Sequence, residues 1–291
     1  MSMPAGQGDT RRLVLTVTCP DRPGIVAAVT GFIAEHDGSV VEAAQYGDLG
    51  TGQFFQRIEI LADSLRFGAD EFPARFAEVA DRLDLRWTVR DTSVKRRVVL
   101  LVSKMDHCLA DLLHQWRSGD LVADIPLVIS NHPDLGPLVE WYGIEFRHIP
   151  FTDRKPEAFA EVAELFDQVG GEVMVLARFM QILPPELCER YPQQIINIHH
   201  SFLPSFVGAK PYHQAMDRGV KLIGATCHYV TNDLDEGPII EQDVGRIDHA
   251  HSIDDLLQIG RGIERSVLAR GLRWHLEDRV LLNGHRTVVF T

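Results

Sequence analysis

The chain has 291 residues, 45% of them hydrophobic, which is enough to bury a sizeable core and favours about two domains. Its 29 basic and 41 acidic residues leave a net charge of -12, which would repel nucleic acid and anionic membrane surfaces. We therefore expect neither nucleic acid nor a membrane among its partners.

The N-terminal segment, residues 1–10, carries neither the basic nor the apolar stretch of a targeting signal. No later apolar run approaches the length of a membrane span. We predict a flexible N-terminus and a cytoplasmic protein. The cysteines lie far apart without a Cys-x-x-Cys pair, so we expect reduced, buried thiols. They are Cys19, Cys108, Cys188 and Cys227.

Residues 11–92 show the element order β-α-β-β-α-β. Two helical patterns of apolar residues begin near Ile25 and Phe72, each following a strand-like segment. The strand patterns cover residues 13–17, 39–46, 54–61 and 85–89. This order predicts a ferredoxin-like domain over residues 11–92.

The turn before the first helix has the sequence Pro-Asp-Arg-Pro-Gly, ending at Gly24. Together with the element order, it resembles the ACT family of small regulatory domains. That resemblance implies an amino-acid effector, and it makes Asp21, Gly24 and Ile25 the candidate effector residues. Glycine lets the backbone approach a ligand, and unpaired N–H groups at a helix start favour a carboxylate. An ordinary turn in a domain that only assembles a homo-oligomer, a dimer or tetramer, is the alternative.

A charged segment at residues 93–97 looks like a linker, and residues 98–291 follow as a second domain. Short apolar strands alternate with helical patterns there, which predicts a mostly parallel, Rossmann-like α/β sheet. The predicted strands cover residues 98–102, 125–129, 146–149, 173–176 and 195–198. Ligands of such sheets bind near the carboxyl ends of the strands. The chain ends in a long helix at 252–276 and two edge strands at 280–282 and 287–290.

The residues best suited to chemistry lie between the fifth of these strands and the turn that follows an apolar run at 223–230. Period-two alternation sends Asn197 and His199 to the same side of their strand. Asp235 lies in a turn where its carboxylate can face a cleft. An amide donor, an imidazole and a carboxylate are sufficient to stabilise an oxyanion and position a water molecule.

Two sequence frames around these residues, Asn-Ile-His-His-Ser-Phe-Leu-Pro and Leu-Asp-Glu-Gly-Pro, resemble the folate-dependent formyltransferase family. The resemblance implies that Asn197, His199 and Asp235 are catalytic. It also implies a folate-binding set and a supporting set. The folate-binding residues would be Met180, Gln181, Ile182, Leu183, Val230 and Asp233. The supporting residues would be His228, Thr226, Gly208 and Lys210.

In the implied reaction, Asn197 and His199 stabilise an oxyanion while Asp235 orients His199 and the attacking water. Taken singly, each residue also has a purely structural explanation, since Asn caps turns, His packs in cores and Asp builds loops. How protons are shared between His199 and Asp235 is left open by the sequence.

The loop at residues 103–108, Ser-Lys-Met-Asp-His-Cys, bears on whether the formyl group is transferred or hydrolysed. Relatives that formylate a phosphorylated ribosylamine have a Gly- and Ser-rich cradle there for the phosphate. This chain has no glycine in the loop, and Asp106 adds negative charge. We therefore expect hydrolysis of 10-formyltetrahydrofolate to formate and tetrahydrofolate, which would supply formate for purine synthesis and balance the one-carbon folate pool.

Two alternatives stay open, a glycinamide ribonucleotide formyltransferase and a non-enzymatic sensor of amino acids or folate. The missing glycines also remove the fingerprint of a nicotinamide-binding site. Four histidines suggest zinc, but they lack a ligand spacing, so we expect no metal and no cofactor besides the folate substrate. They are His199, His200, His213 and His228.

Overall fold

The computed structural model describes residues 11–152, 154–205 and 211–291, and its elements fall into two units. The first holds the chain through Lys95 together with Asp278–Asn283 and Val288–Thr291. The second holds Arg96–Glu277 and Gly284–Thr287. The units divide within the segment predicted as a linker. Residues 1–10, predicted to be flexible, lie outside the described residues.

The first unit contains a four-stranded antiparallel sheet with two helices, in the predicted β-α-β-β-α-β order, which is confirmed. The spatial order of its strands is β2-β3-β1-β4. The strands are β1 (Arg12–Pro20), β2 (Val40–Asp48), β3 (Gln53–Leu61) and β4 (Arg86–Asp91). The helices are α1 (Ile25–Glu35) and α2 (Phe72–Leu83), with short 3-10 turns at Ala62–Ser64 and Ala69–Glu71.

Helical spacing of apolar residues explains how α1 and α2 cover one face of this sheet. Phe32 on α1 meets Phe72 and Phe76 on α2, with ring centroids 5.5 and 5.2 Å apart and edge-on geometry. Both phenylalanines of α2 are fully buried. Each such side chain contributes roughly 1.5–3 kcal/mol through burial, so this contact holds the two helices together.

The C-terminal segment returns to the first unit, which the predicted domain of residues 98–291 did not include. Polar contacts explain its placement, because Arg279 pairs with Glu42 at 3.0 Å. The Asn283 amide also donates to the Asp48 carboxylate at 2.6 Å. The predicted edge strands correspond to β12 (Val280–Asn283) and β13 (Arg286–Val289), which form a two-stranded sheet.

The second unit is built on a seven-stranded sheet of order β11-β10-β9-β8-β5-β6-β7. The five strands from β9 to β7 in that order are parallel to one another. The strand β10 pairs antiparallel with both β9 and β11, so it alone runs in the opposite direction, and the prediction of a mostly parallel sheet is confirmed. The strands are β5 (Arg97–Val102), β6 (Asp124–Ser130), β7 (Glu145–His148), β8 (Val173–Ala177), β9 (Ile195–His199), β10 (Leu222–Tyr229) and β11 (Ile239–Arg246). The helices are α3 (His107–Ser118), α4 (Gly136–Trp141), α5 (Lys155–Gln168), α6 (Pro185–Arg190), α7 (Pro211–Asp217) and α8 (Ile253–Leu276).

Strand register brings the chemistry-bearing segments to one place. The central strands β5 and β8 are almost wholly buried apolar runs, as expected of a sheet covered on both faces. Leu176 of β8 pairs with Asn197 of β9, and Asn197 also lies opposite His228 of β10. Leu176 near the end of β8, Asn197 in β9 and His228 near the end of β10 therefore lie side by side across the sheet.

Two further features are the cysteines and the hydrophobicity of the helices. All four cysteines are buried, as expected, and they are free thiols in this structure. Among the described residues, no helix combines the length and the hydrophobicity that a membrane crossing requires.

Candidate active site

A cavity of about 390 Å³ opens beside Leu176, Asn197 and His228 of β8, β9 and β10, and it is bordered by the segments that follow β8 and β10. The three residues predicted to be catalytic line it, as do all six predicted to bind folate. His228, from the supporting set, lines it as well. Residues outside the predicted catalytic, folate-binding and supporting sets also contribute to the wall, among them Arg178, His200, Asn232 and Leu234.

Asn197 is oriented by its neighbour across the sheet, His228. The Nδ1 of His228 lies 2.9 Å from the Tyr229 carbonyl oxygen, which can only accept, so Nδ1 carries the proton. Burial lowers the pKa of His228, so the ring stays neutral and its Nε2 is an acceptor. The Asn197 amide donates to that Nε2 at 3.2 Å. One N–H of Asn197 is thereby committed, and the second is available at the cavity.

His199 and Asp235 form the charged part of the site. The Nδ1 of His199 lies 3.2 Å from the Asp235 carboxylate, and both side chains are largely buried. The hydrogen bond from His199 holds the pKa of Asp235 below its usual value against the opposing effect of burial, so the carboxylate is ionised at neutral pH. The Nε2 of His199 is buried without a hydrogen-bond partner among the described residues. That nitrogen is the ring atom left for proton transfer.

The turn that carries Asp235 is held in place by close backbone packing. Asp235 has φ of 59°, in the left-handed region that costs a non-glycine residue roughly 1–3 kcal/mol. A Cβ at Gly237 would lie 1.7 Å from the Tyr229 carbonyl oxygen, so only glycine fits there. The Tyr229 N–H in turn donates to the Pro238 carbonyl at 2.9 Å. The Asp-Glu-Gly-Pro frame therefore fixes the carboxylate beside His199.

The segment after β8 forms an apolar wall of the cavity. Phe179 and Leu183 are buried and anchor the segment to the core. Met180 and Ile182 are 57% and 70% exposed although they are large and apolar. Exposed apolar side chains at a concave site are typical of a surface that a flat, partly apolar ligand covers.

His200 lies on the cavity wall beside His199, with ring centroids 5.1 Å apart. Burial and the positive charge of Arg178 lower the pKa of His200 to about 4, so it is neutral at physiological pH. From its sequence, His200 is a candidate only for binding zinc. Its position directly after the strand that carries His199 was the one available signal.

The remaining supporting residues divide into two groups. Thr226 is fully buried and does not line the cavity. Its hydroxyl donates to the Ser201 carbonyl at 2.9 Å and accepts from the Leu203 N–H at 3.0 Å, which ties down the chain that follows His199. Gly208 and Lys210 lie outside the described residues.

The candidate effector residues lie in the first unit. Gly24 has φ of 96° at the start of α1, and a Cβ there would meet nothing within 4 Å, so its backbone is open. Asp21 is exposed, and its N–H donates to the Gly52 carbonyl at 2.8 Å. Ile25 is 1% exposed and belongs to the core, so its side chain serves packing.

Within the described parts of the chain, one group of side chains has the proximity that a metal would need. His107, Cys108 and Glu264 place potential ligand atoms within 4.8 Å of one another. Burial raises the pKa of Cys108 far above neutrality, so its thiol stays protonated. The Glu264 oxygens already accept hydrogen bonds from His107 and Tyr212, and Arg178 lies 3.4 Å away. A cation would compete with these partners, so the group does not fit a metal.

Comparison with known proteins bears directly on this site. A family model described as formyl transferase matches residues 96–272, and an ACT domain model matches residues 13–64. A formyltetrahydrofolate deformylase of Corynebacterium sp. (strain P-1) is 51% identical, over 96% of this chain and 98% of the relative. Both family resemblances found in the sequence are thus confirmed.

Solved structures agree with the sequence relatives. The crystal structure of a formyltetrahydrofolate deformylase from Pseudomonas syringae pv. tomato has a TM-score of 0.96 and 56% identity, covering 98% of this chain and 96% of that one. Glycinamide ribonucleotide transformylase 1 from Symbiobacterium toebii has a TM-score of 0.65 and 27% identity, covering 68% of this chain and 95% of its own. Likeness to the transformylase is therefore weaker and extends over less of the chain.

Proposed function

The chain belongs to the formyltetrahydrofolate deformylase family, and we propose that Asn197, His199 and Asp235 carry out its hydrolysis of 10-formyltetrahydrofolate to formate and tetrahydrofolate. The relatives confirm the activity predicted from the sequence, and the roles of the three residues are our proposal. One observation supports the residue roles most strongly, which is that the three side chains converge on a single cavity with an exposed apolar wall.

In our proposal the pterin of the substrate lies in the cavity against Met180 and Ile182. Gln181, Leu183, Val230 and Asp233 complete the predicted binding set, and each lines the cavity. A flat heterocycle would cover the exposed apolar side chains, which removes their surface from water. The formyl group would then point toward the second N–H of Asn197.

The first chemical step is attack of water on the formyl carbon. The Nε2 of His199 takes one proton of the water, and the new C–O bond turns the formyl oxygen into an oxyanion. Asp235 stabilises the imidazolium through its contact with Nδ1 at 3.2 Å. Asn197 and the imidazolium both stabilise the oxyanion.

In the second step the bond between the formyl carbon and N10 breaks. The imidazolium gives its proton to N10, which yields tetrahydrofolate and formic acid, and the acid loses its proton to solvent as formate. His199 returns to its neutral form. Every proton taken from water is accounted for, and the folate is the only cofactor-like group that the scheme needs.

For the first unit we propose regulation by an amino acid at a subunit interface, with Gly24 giving the ligand access to the backbone. The open space beside Gly24 supports this role, and so does the start of α1, where no side chain among the described residues caps the helix. We also propose a homo-oligomer, a dimer or tetramer, in the cytoplasm, where buried reduced cysteines are stable. Formate released there would enter purine synthesis and help to balance the folate pool.

Formate release from 10-formyltetrahydrofolate, measured with and without glycinamide ribonucleotide, tests the proposed activity. We expect formate to appear at the same rate in both reactions, since water is the acceptor. Formyl loss that requires glycinamide ribonucleotide and yields no formate would contradict hydrolysis. Folate binding without turnover, in protein confirmed as folded, would favour the sensor alternative.

A further inference from the structure

A buried carboxylate that the proposed mechanism does not use lies next to the cavity. Glu264, in the middle of α8, is 1% exposed. Its Oε2 accepts from the Nε2 of His107 at 2.7 Å, and its Oε1 accepts from the Tyr212 hydroxyl at 2.7 Å. Such a group is costly to bury unless it is ionised with partners or kept protonated.

Arg178 is the third partner of Glu264, and it connects the carboxylate to the cavity wall. The Arg178 Nε lies 3.4 Å from the Glu264 Oε2, and Arg178 itself lines the cavity. Burial tends to raise the pKa of Glu264, but the His107 hydrogen bond and the Arg178 charge hold it below its usual value. Glu264 is therefore an anion that compensates a cation at the edge of the cavity.

The backbone of Arg178 also needs support. Its φ of 64° is in the left-handed region, which a non-glycine residue adopts when its surroundings hold it there. Arg178 begins the segment of residues 178–183, whose Met180 and Ile182 form the apolar wall. A change in the Arg178 conformation would move that wall.

A second buried contact holds the same segment. The Oγ of Ser103, directly after β5, accepts from the Met180 N–H at 3.1 Å and donates to the Asn131 amide oxygen at 2.6 Å. Ser103 is 3% exposed. Ser103 and His107 both belong to the loop at residues 103–108, whose sequence bears on the choice between transfer and hydrolysis through its missing glycines and the charge of Asp106.

We propose that Glu264 and Ser103 are positioning residues, which hold the segment of residues 178–183 in the conformation that binds the folate. Neither touches the reacting atoms. Glu264 acts through the Arg178 side chain, and Ser103 acts through the Met180 backbone. The inference rests on the folate site proposed above, because it assigns the two residues to the preorganisation of that site.

The first test compares wild type with Glu264→Gln, which keeps the shape of the side chain and can still bond Tyr212 but cannot neutralise Arg178. Tetrahydrofolate affinity is measured by calorimetric titration, and formate release gives kcat and KM. In the variant, only a fraction of the molecules should hold the apolar wall in the binding conformation, because the charge of Arg178 is no longer neutralised. The Kd and KM should therefore rise about 10-fold or more. The kcat at saturating substrate should stay within about 3-fold of wild type, because the bound folate restores the wall.

Ser103→Ala provides a second variant, which removes the acceptor of the Met180 N–H with little change in volume. It should raise the Kd and KM in the same way, by roughly 3- to 10-fold. It keeps the proposal testable if Glu264→Gln does not fold. Glu241→Gln is the matched control, because Glu241 also pairs with an arginine, Arg270 at 3.4 Å, and does not line the cavity. Its Kd should equal that of wild type.

The measurements separate a positioning role from a structural one. A residue that only stabilises the fold would lower the melting temperature and the active fraction, so kcat would fall with KM and Kd unchanged. That result in both variants, or folded variants with wild-type Kd and KM, would overturn the proposal. A wild-type enzyme that hydrolyses the substrate but does not bind tetrahydrofolate at this cavity would instead contradict the folate site.

Discussion

Replacing Asp235 by Asn tests the contact on which the proposed mechanism depends most. The change keeps the side-chain shape and removes the charge. The backbone φ of 59° at position 235 suits Asn, which adopts the left-handed region more readily than most residues. The turn is fixed mainly by Gly237 and its packing against Tyr229. We therefore expect the variant to fold with a free energy of unfolding within about 1 kcal/mol of wild type.

The expected loss of activity follows from the contact between Asp235 and His199. A hydrogen bond to a charged group contributes about 1.5–3 kcal/mol, and each 1.36 kcal/mol is a factor of ten, so losing it slows the reaction roughly 10- to 150-fold. The loss applies to the step in which the imidazolium forms, with Nδ1 and Oδ1 3.2 Å apart. An amide N–H turned toward Nδ1 would also favour the wrong tautomer, so we expect kcat to fall by at least ~10².

The assay is formate release at saturating 10-formyltetrahydrofolate, with thermal unfolding measured on the same preparation. Glu236→Gln is the matched control, because Glu236 is an exposed carboxylate in the same turn and does not line the cavity. The control should keep wild-type kcat. If folded Asp235→Asn turned over at nearly the wild-type rate, Asp235 would have no role in the chemistry.

Three further predictions address the metal, the effector and pH. Metal chelation should leave formate release unchanged, because the carboxylate oxygens of Glu264 already accept hydrogen bonds from protein groups. Loss of activity on chelation that zinc specifically restores would contradict this prediction. Gly24→Asn should tolerate the φ of 96° better than Gly24→Val, and its side chain should occupy the place where an effector would bind. In turnover titrations this variant should lose any response to glycine or methionine, while its basal turnover persists. Unchanged regulation in this variant, with the oligomer checked by light scattering, would remove Gly24 from the effector site. His200 has a pKa of about 4 in the folded state against 6.5 in the unfolded state, so protons bind the unfolded state preferentially and stability falls as pH drops through that window. Between pH 7 and 5, His200 should lower the free energy of unfolding of the wild type by about 2 kcal/mol. In denaturant titrations, the free energy of unfolding of His200→Asn should therefore fall by about 2 kcal/mol less over this range. An equal fall in both proteins would contradict the prediction.

The chemistry of the site was predictable where it depends on short-range pattern. Alternation along a strand predicted that Asn197 and His199 share a side, and both line the cavity. Turn-forming residues predicted that Asp235 leaves the sheet and faces a cleft, and it also lines the cavity. Each of these inferences needs only a few consecutive residues.

Contacts between distant segments were not predictable in this way. Glu264 lies on a helix whose apolar pattern is ordinary, and its partners His107, Tyr212 and Arg178 come from three other elements. Nothing in the neighbouring sequence marks that carboxylate as buried. The return of the C-terminal segment to the first unit depends likewise on pairs such as Arg279 with Glu42, which are far apart in the chain.

The protonation states around His199 follow from one physical requirement. When His199 accepts a proton from water, a positively charged neighbour would repel the imidazolium and raise the energy of the step. Burial lowers the pKa of both His200 and His228, so the two adjacent rings are neutral. Asp235 stays ionised because of its hydrogen bond to His199. Burial of two histidines and ionisation of one carboxylate thus both favour the imidazolium that the hydrolysis requires.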